Sequence, residues 1–188
     1  MEVRLAKGSD REAISAVYEA ARQYMRRSGN PTQWGMCYPP EALLREDIRA
    51  GRLFVCTQCD SIHGVFAFLP GNDPTYGYIE GAWKNDLPYG TIHRVASDGT
   101  LGGVFRCCFD FCRRKMDNIR IDTHHDNLTM QRAVETCGFE RCGTIYVKDG
   151  SPRIAYQYTA AAACPAKDII HQTSQSKKTY KEGYNRVN

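Results

Sequence analysis

Short apolar runs with strand-like alternation are separated by stretches of helical spacing along most of the chain. Residues 2–5 read as a first strand. Ala13, Ile14, Val17, Tyr18, Ala21, Tyr24 and Met25 then recur at the three- and four-residue spacing of one helix face. Ser9-Asp10-Arg11-Glu12, at the start of that face, has the form of a capping box. Arg22, Arg26 and Arg27 fall on the solvated side and at the helix end, where the dipole favours cations. Breakers and aromatics fill residues 29–40, GNPTQWGMCYPP, and predict a loop. A second helix over 41–50 would bury Leu43, Leu44 and Ile48 and stop at Gly51.

Residues 52–57 and 62–69 read as an antiparallel pair turning around 58–61. Pro70-Gly71-Asn72-Asp73-Pro74 breaks the pattern, and residues 76–83 resume it as a strand with Tyr78, Glu80 and Trp83 as polar or amphipathic members. A buried strand follows over 91–96. After it come Ser97, Asp98, Gly99 and Thr100, all turn or cap formers, and a helix from Gly102 to about Lys115. A strand, a glycine-bearing loop and a helix start together present unpaired backbone N–H groups suited to a phosphate. Cys107, Cys108, Phe111 and Cys112 form that helix's apolar face, and Arg113, Arg114 and Lys115 close it. The next strand spans 119–123, and Asp126 or Asn127 opens a helix that Gly138 stops. Phe139 leads into a final hairpin, 140–148 with 153–158, turning at Asp149-Gly150.

Composition changes the picture at the C-terminal end. From Thr159 onward apolar periodicity fades, so 1–158 reads as one domain and 159–188 as a polar, flexible tail. The formal charge of +4 sits mostly there. Lys167, Lys177, Lys178, Lys181 and Arg186 face only Asp168 and Glu182, which leaves the body near +1. A body that close to neutral disfavours nucleic acid as a partner. No apolar run approaches the ~20 residues of a membrane span, and the opening residues lack a signal-peptide core, so the expectation is a cytoplasmic protein with no membrane partner. Nine cysteines, an odd number, fit a reducing compartment. Cys56-x-x-Cys59 has metal-like spacing but no second ligand pair, and reads as strand thiols at a hairpin.

From Tyr89 to Phe139 the chain resembles the GNAT superfamily of acetyl-CoA-dependent N-acyltransferases. That family's phosphate loop is an apolar strand residue followed by Q/R-x-x-G-x-G/A. With Val95 as the strand residue, the loop falls on Thr100-Leu101-Gly102-Gly103-Val104-Phe105. Asn127, Gly138 and Phe139 match the family's later signature. A closer likeness is to bacterial members with GN-x-x-QW, IHR-x-AS and IR-x-DTH-x-DN-x-x-MQ, here Gly29-Asn30 with Gln33-Trp34, residues 92–97 and residues 119–131. The resemblance covers about residues 2–158. It departs from the pattern at Thr100 and Phe105, where the loop has a basic or Gln residue and a small one, and at Val134, which stands where the family often has a general-acid Tyr.

The resemblance implies an α/β (α+β) fold with a mixed, mostly antiparallel central sheet flanked by about four helices. It implies acetyl transfer from acetyl-CoA to a primary amine, small-molecule or peptide, by direct attack in a ternary complex, with no metal. A homodimer is compatible with it. The backbone of Leu101, Gly102, Gly103, Val104 and Phe105 would hold the pyrophosphate, a bulge amide near Val95 or Ala96 the thioester carbonyl, and Asn127 the pantetheine arm. Gln33, Trp34 and Tyr38 would shape the acceptor pocket. His93 is the first candidate for the base, expected to share a strand face with Val95; Glu80, Tyr89 and the Asp122/His124 pair follow. Tyr146 is the candidate acid. Arg106 would offset the charge of Asp98 near the loop. Side chains from Asp122 to Asp126 would diverge on a strand, so a metal is not expected. The rival reading is an acyl-CoA-binding or regulatory module without turnover; a thiol-redox or zinc protein is a distant third.

Overall fold

The computed structural model describes residues 1–160. Eight strands form one sheet: β1 (Glu2–Leu5), β2 (Leu53–Gln58), β3 (Ser61–Pro70), β4 (Glu80–Gly81), β5 (Gly90–Ser97), β6 (Asn118–Thr123), β7 (Glu140–Tyr146) and β8 (Pro152–Thr159). Their spatial order is β1-β2-β3-β5-β6-β8-β7-β4, antiparallel throughout except for β5 with β6. Helices α1 (Arg11–Arg27), α2 (Glu41–Arg49), α3 (Val104–Cys112) and α4 (Leu128–Thr136) cover it. This is the mixed sheet with four helices that the resemblance implied. Thr159, the first residue of the expected tail, still pairs with Asn118; residues 161–188, on which the rest of that expectation falls, lie outside those described.

Strand alternation builds two cores. Phe54, Cys56, Phe66 and Phe68 face α3 and α4, where Cys108, Phe109, Cys112 and Val134 complete a cluster. Leu53, Val55, Val65 and Ala67 point the other way, onto Ile14, Val17 and Tyr18 of α1 and Leu44 of α2. The Cys-x-x-Cys spacing dissolves in this layout. Cys56 is buried in β2 with its Sγ 3.7 Å from that of Cys108, while Cys59 is an exposed turn residue.

In β5 the alternation changes phase. Ala67 pairs with His93 and Val65 with Ala96, so Phe66 alone lies opposite Arg94 and Val95. That is a bulge, and Arg94 takes the left-handed conformation at φ 55°. Ile92 therefore joins the α3–α4 cluster while Ala96, four residues on, joins the α1–α2 cluster. The expectation that His93 and Val95 share a face fails for the same reason. His93 lies beside Ala67 on the α1–α2 side, and Val95 packs toward α3 and α4.

The bulge is clamped by a residue that the helix pattern left unmarked. Asp47, on the buried stripe of α2, accepts from Arg94 at 2.6 Å on one oxygen and from Arg52 Nε at 2.6 Å on the other. Its side chain is 0 % exposed. The Tyr18 hydroxyl donates to the Arg94 carbonyl at 3.1 Å. Left-handed backbone at a non-glycine residue costs on the order of 1–3 kcal/mol, which this clamp offsets.

Two local expectations are corrected. The capping box expected from Ser9 to Glu12 does not form: Gly8–Asp10 make a 3-10 turn ahead of α1, and the Asp10 carboxylate accepts from the Lys7 N–H at 2.7 Å and from Arg4 at 2.7 and 3.0 Å. Nor do residues 76–83 make a strand: a 3-10 turn, Pro74–Tyr76, precedes only the two-residue β4. Tyr76 turns inward to Trp83, Tyr89, Ile145 and Ala155. β4 reaches β7 at facing glycines, Gly81 and Gly143, both at positive φ, where a Cβ on either would run into the opposite backbone.

Asp47→Ala leaves two guanidinium groups beside an apolar cavity. We expect a loss of roughly 3–5 kcal/mol, the usual consequence of halving a buried pair, read by urea unfolding. Arg94→Gly, which removes the backbone strain together with the charge, is expected to cost less.

Candidate active site

β5 and β6 pair only at Gly90 with Ile119 and Thr91 with Arg120, next to where each strand begins. Beyond that point the two parallel strands carry no further pairing, and the bulge lies on the unpaired part of β5. A cleft of about 690 Å³ opens there, with residues 92–95 of β5 and 121–123 of β6 among its lining. The loop after α1, the start of α4 and the β7–β8 turn complete it.

The wall from the first loop is built of side chains that hold one another. Gln33 Oε1 accepts from Asn30 Nδ2 at 2.7 Å and from Asn127 Nδ2 at 3.0 Å. Asn127 also caps α4, its Oδ1 accepting from the Met130 N–H at 3.1 Å. Trp34 sits edge-on to Tyr18 at 5.7 Å and next to Tyr38 at 6.2 Å. Arg22 donates to the Tyr38 carbonyl, so a cation read as solvated ties the loop to α1. Gln33, Trp34, Tyr38, Asn127 and Val95 all line the cleft.

His93 lines it too, and it has a partner that the sequence pattern did not mark. Its Nε2 lies 2.7 Å from Asp73 Oδ2, with side chains 20 % and 13 % exposed. Asp73 Oδ1 accepts from the Thr75 N–H at 2.8 Å, capping the Pro74–Tyr76 turn, and the Asp73 N–H donates to the Tyr89 hydroxyl at 3.0 Å. The hydrogen bond from His93 outweighs partial burial and lowers the Asp73 carboxyl to about 2.

The other acid–base candidates lie elsewhere. Tyr89 is buried, its ring 3.9 Å from the Arg120 guanidinium, and acts on the cleft only through Asp73. Glu80 is exposed on β4. Tyr146, at the end of β7, is exposed beside Tyr78, and its phenol is raised chiefly by Glu80. None of the three lines the cleft. Asp122 does, with Oδ1 accepting from the Tyr76 hydroxyl at 2.8 Å. Ala96 lies beyond the bulge, buried under α1.

Past the end of β5, Gly103 adopts φ 82° and starts α3 with no side chain capping it. Nothing lies within 4 Å of where a Cβ on Gly102 or Gly103 would point. The glycine turn at 102–103 thus borders open space at a helix N-terminus, which suits an anion. Asp98, ahead of that turn, is held by its own neighbours. Its carboxylate accepts from the Thr100 N–H at 2.9 Å and lies 2.9 Å from His63 Nδ1. Partial burial raises the Asp98 carboxyl, but the Thr100 and His63 hydrogen bonds prevail and lower it. Arg106 does not offset Asp98 as expected; it reaches Asp110 at 3.8 Å.

The chain bends after Thr123, so the argument from strand alternation does not hold there. Donor atoms of His124, His125 and Asp126 lie within 4.8 Å of one another, the one such group found among the described residues. Burial, then His125 and Arg153, lower the His124 imidazole. Among the described residues no helix is long and apolar enough to cross a membrane.

No protein-family model matches the chain, and no curated protein matches it. Solved structures do. An acetyltransferase of the GNAT family from Streptococcus agalactiae 2603 superposes with a TM-score of 0.78 at 27 % identity, over 86 % of this chain and 96 % of that one. A GNAT-family acetyltransferase from Listeria monocytogenes 4b F2365 gives 0.61 at 20 % identity, over 84 % and 93 %. The ribosomal-protein-alanine N-acetyltransferase of Brucella melitensis gives 0.57 at 18 %, over 85 % and 99 %. At such identities the last two speak to the fold alone. Splayed parallel strands, the bulge and the open helix start define a class, the acyltransferases of GNAT fold. With the likeness to the streptococcal protein, they put this chain in that superfamily.

The Asp73 carboxyl, at about 2 in the folded chain against an ordinary 3.8, stabilises the fold fully above pH ~4. That contribution, on the order of 2 kcal/mol, is lost as pH falls from ~4 to ~2. In urea unfolding, the stability gap between wild type and Asp73→Asn is therefore expected to be widest near pH 6 and to narrow below pH 4.

Proposed function

We propose that the protein moves an acetyl group from acetyl-CoA to a primary amine, small-molecule or peptide, by direct attack in a ternary complex. The observation that carries this reading is the unpaired stretch of β5 and β6, with His93 and the bulge residues among the lining of the cleft that opens there. Acetyl-CoA supplies a thioester whose acyl carbon is open to an amine. The backbone of residues 101–105 would hold its pyrophosphate, the unpaired edges of β5 and β6 its pantetheine arm, and the Val95 amide its carbonyl oxygen. Asn127 keeps one amide hydrogen beyond its bond to Gln33 and would donate it to the arm.

The amine enters beside Gln33, Trp34 and Tyr38. His93 takes its proton as the C–N bond forms and the C–S bond breaks. Coenzyme A thiol is only moderately basic, so the departing thiolate needs little help. Val134, fully buried in the α3–α4 core, gives none, and Tyr146 stands outside the cleft lining.

Gly102→Val places a branched side chain in the open space at the start of α3. Calorimetry is expected to show acetyl-CoA affinity reduced about tenfold or more with a near-normal melting temperature; unchanged affinity would put the pyrophosphate elsewhere. His93→Gln keeps size and hydrogen bonding but accepts no proton. Thiol release with an amine panel is expected to fall at least ~10²-fold, the lower range for a general base, with acetyl-CoA binding retained and the acid limb of the pH–rate profile lost.

A further inference from the structure

We propose that Asp73 is a positioning residue, holding the His93 ring with its proton on Nε2 so that Nδ1 is the atom that receives the proton of the acceptor amine. The inference rests on the reading of His93 as the base. Its geometry stands independently. The contact is 2.7 Å from Oδ2 to Nε2. An ionised carboxylate can only accept a hydrogen bond, and the contact with His93 holds the Asp73 carboxyl well below the usual range, so the hydrogen between the two belongs to the ring. In the neutral imidazole that leaves the lone pair on Nδ1, to which no described residue gives a hydrogen-bond partner.

Asp73 is itself fixed on three sides. Thr75 N–H holds Oδ1, His93 holds Oδ2, and the Tyr89 hydroxyl receives its N–H. Tyr89 is in turn stacked on the buried Arg120, whose guanidinium is 4.0 Å from Trp83 on its other contact. The remaining charges near His93 are committed elsewhere or stand across the cleft. Arg94 is drawn to Asp47, Asp122 receives the Tyr76 hydroxyl, Lys148 and Asp149 belong to the β7–β8 turn, and Arg153 belongs to the start of β8. When the amine N–H bond breaks, its proton goes to Nδ1 and the imidazolium charge develops against Asp73. The thioester's electron pair leaves on sulfur, and the ring later returns its proton to solvent.

The experiment is long-range 1H–15N correlation of the histidine rings in the full chain, with His93 assigned by its disappearance in His93→Gln. The wild-type ring is expected in the Nε2–H form. Asp73→Asn, whose amide can donate to Nε2, is expected to switch it to Nδ1–H and to lower turnover by on the order of 10² or more. Acetyl-CoA affinity should stay within twofold, and Asp73→Glu should recover part of the activity. A wild-type ring protonated on Nδ1, or Asp73→Asn turnover within threefold of wild type, overturns the proposal. If Asp73→Asn does not fold, the wild-type spectrum decides. If no amine in the panel is acetylated, the function reading fails while the two spectra still decide the role of Asp73.

Discussion

Two guanidinium groups meet on one buried carboxylate, and the working face of the sheet depends on that meeting. Asp47 has no access to water, and Arg94 and Arg52 share the compensation of its charge. Arg94 is also the residue whose backbone is left-handed. The side chain that satisfies Asp47 thus belongs to the residue that breaks the rhythm of β5. Without the bulge, Ile92 and Ala96 would face the same way, and one of the two cores would lose a member. With it, β5 leaves β6 after two paired residues, and a cleft exists.

The second support comes from a segment with little regular structure. Residues 82–89 cross the end of β6 and β8 and are held by polar contacts rather than by a strand ladder. Gln157 accepts from the Lys84 N–H, Asn118 donates to Asn85 and to the Leu87 carbonyl, and Arg120 donates to the Asn85 carbonyl. Burial pulls the Arg120 guanidinium down, and two aromatic faces receive it in place of a carboxylate. This packing seats Tyr89, Tyr89 seats Asp73, and Asp73 seats His93. A buried residue outside the cleft lining thereby sets the ring that lines it.

Electrostatics at the far end of β5 follows the same economy. An aspartate beside an anion-accepting helix start is unfavourable if it faces the anion. His63 from β3 and the Thr100 amide engage the Asp98 carboxylate, and the start of α3 has no side-chain acceptor capping it. The glycines that follow keep that surface open.

The sequence by itself determined the element order, because strand and helix periodicities are local and the breakers between them are strong. It also determined the glycine turn at Gly102-Gly103 ahead of α3 and the cap at Asn127, since both depend on a few adjacent residues. Gln33, Trp34 and His93 were legible as candidates through the resemblance. Asp47 was legible only as a polar residue at helical spacing from Leu44, since its partners lie 5 and 47 residues away. Asp73 looked like part of a breaker, its side chain committed to the turn it caps; that its other oxygen meets His93 depends on how that turn is packed against β5. Where a strand was expected over 76–83, Tyr76 instead turns inward between Trp83 and Tyr89. The phase change in β5, the pairing of Asp98 with His63 and the convergence at His124 to Asp126 were likewise decided by tertiary structure. Each depends on what a distant element, or a bend in the chain, brings alongside, and local spacing carries no record of that.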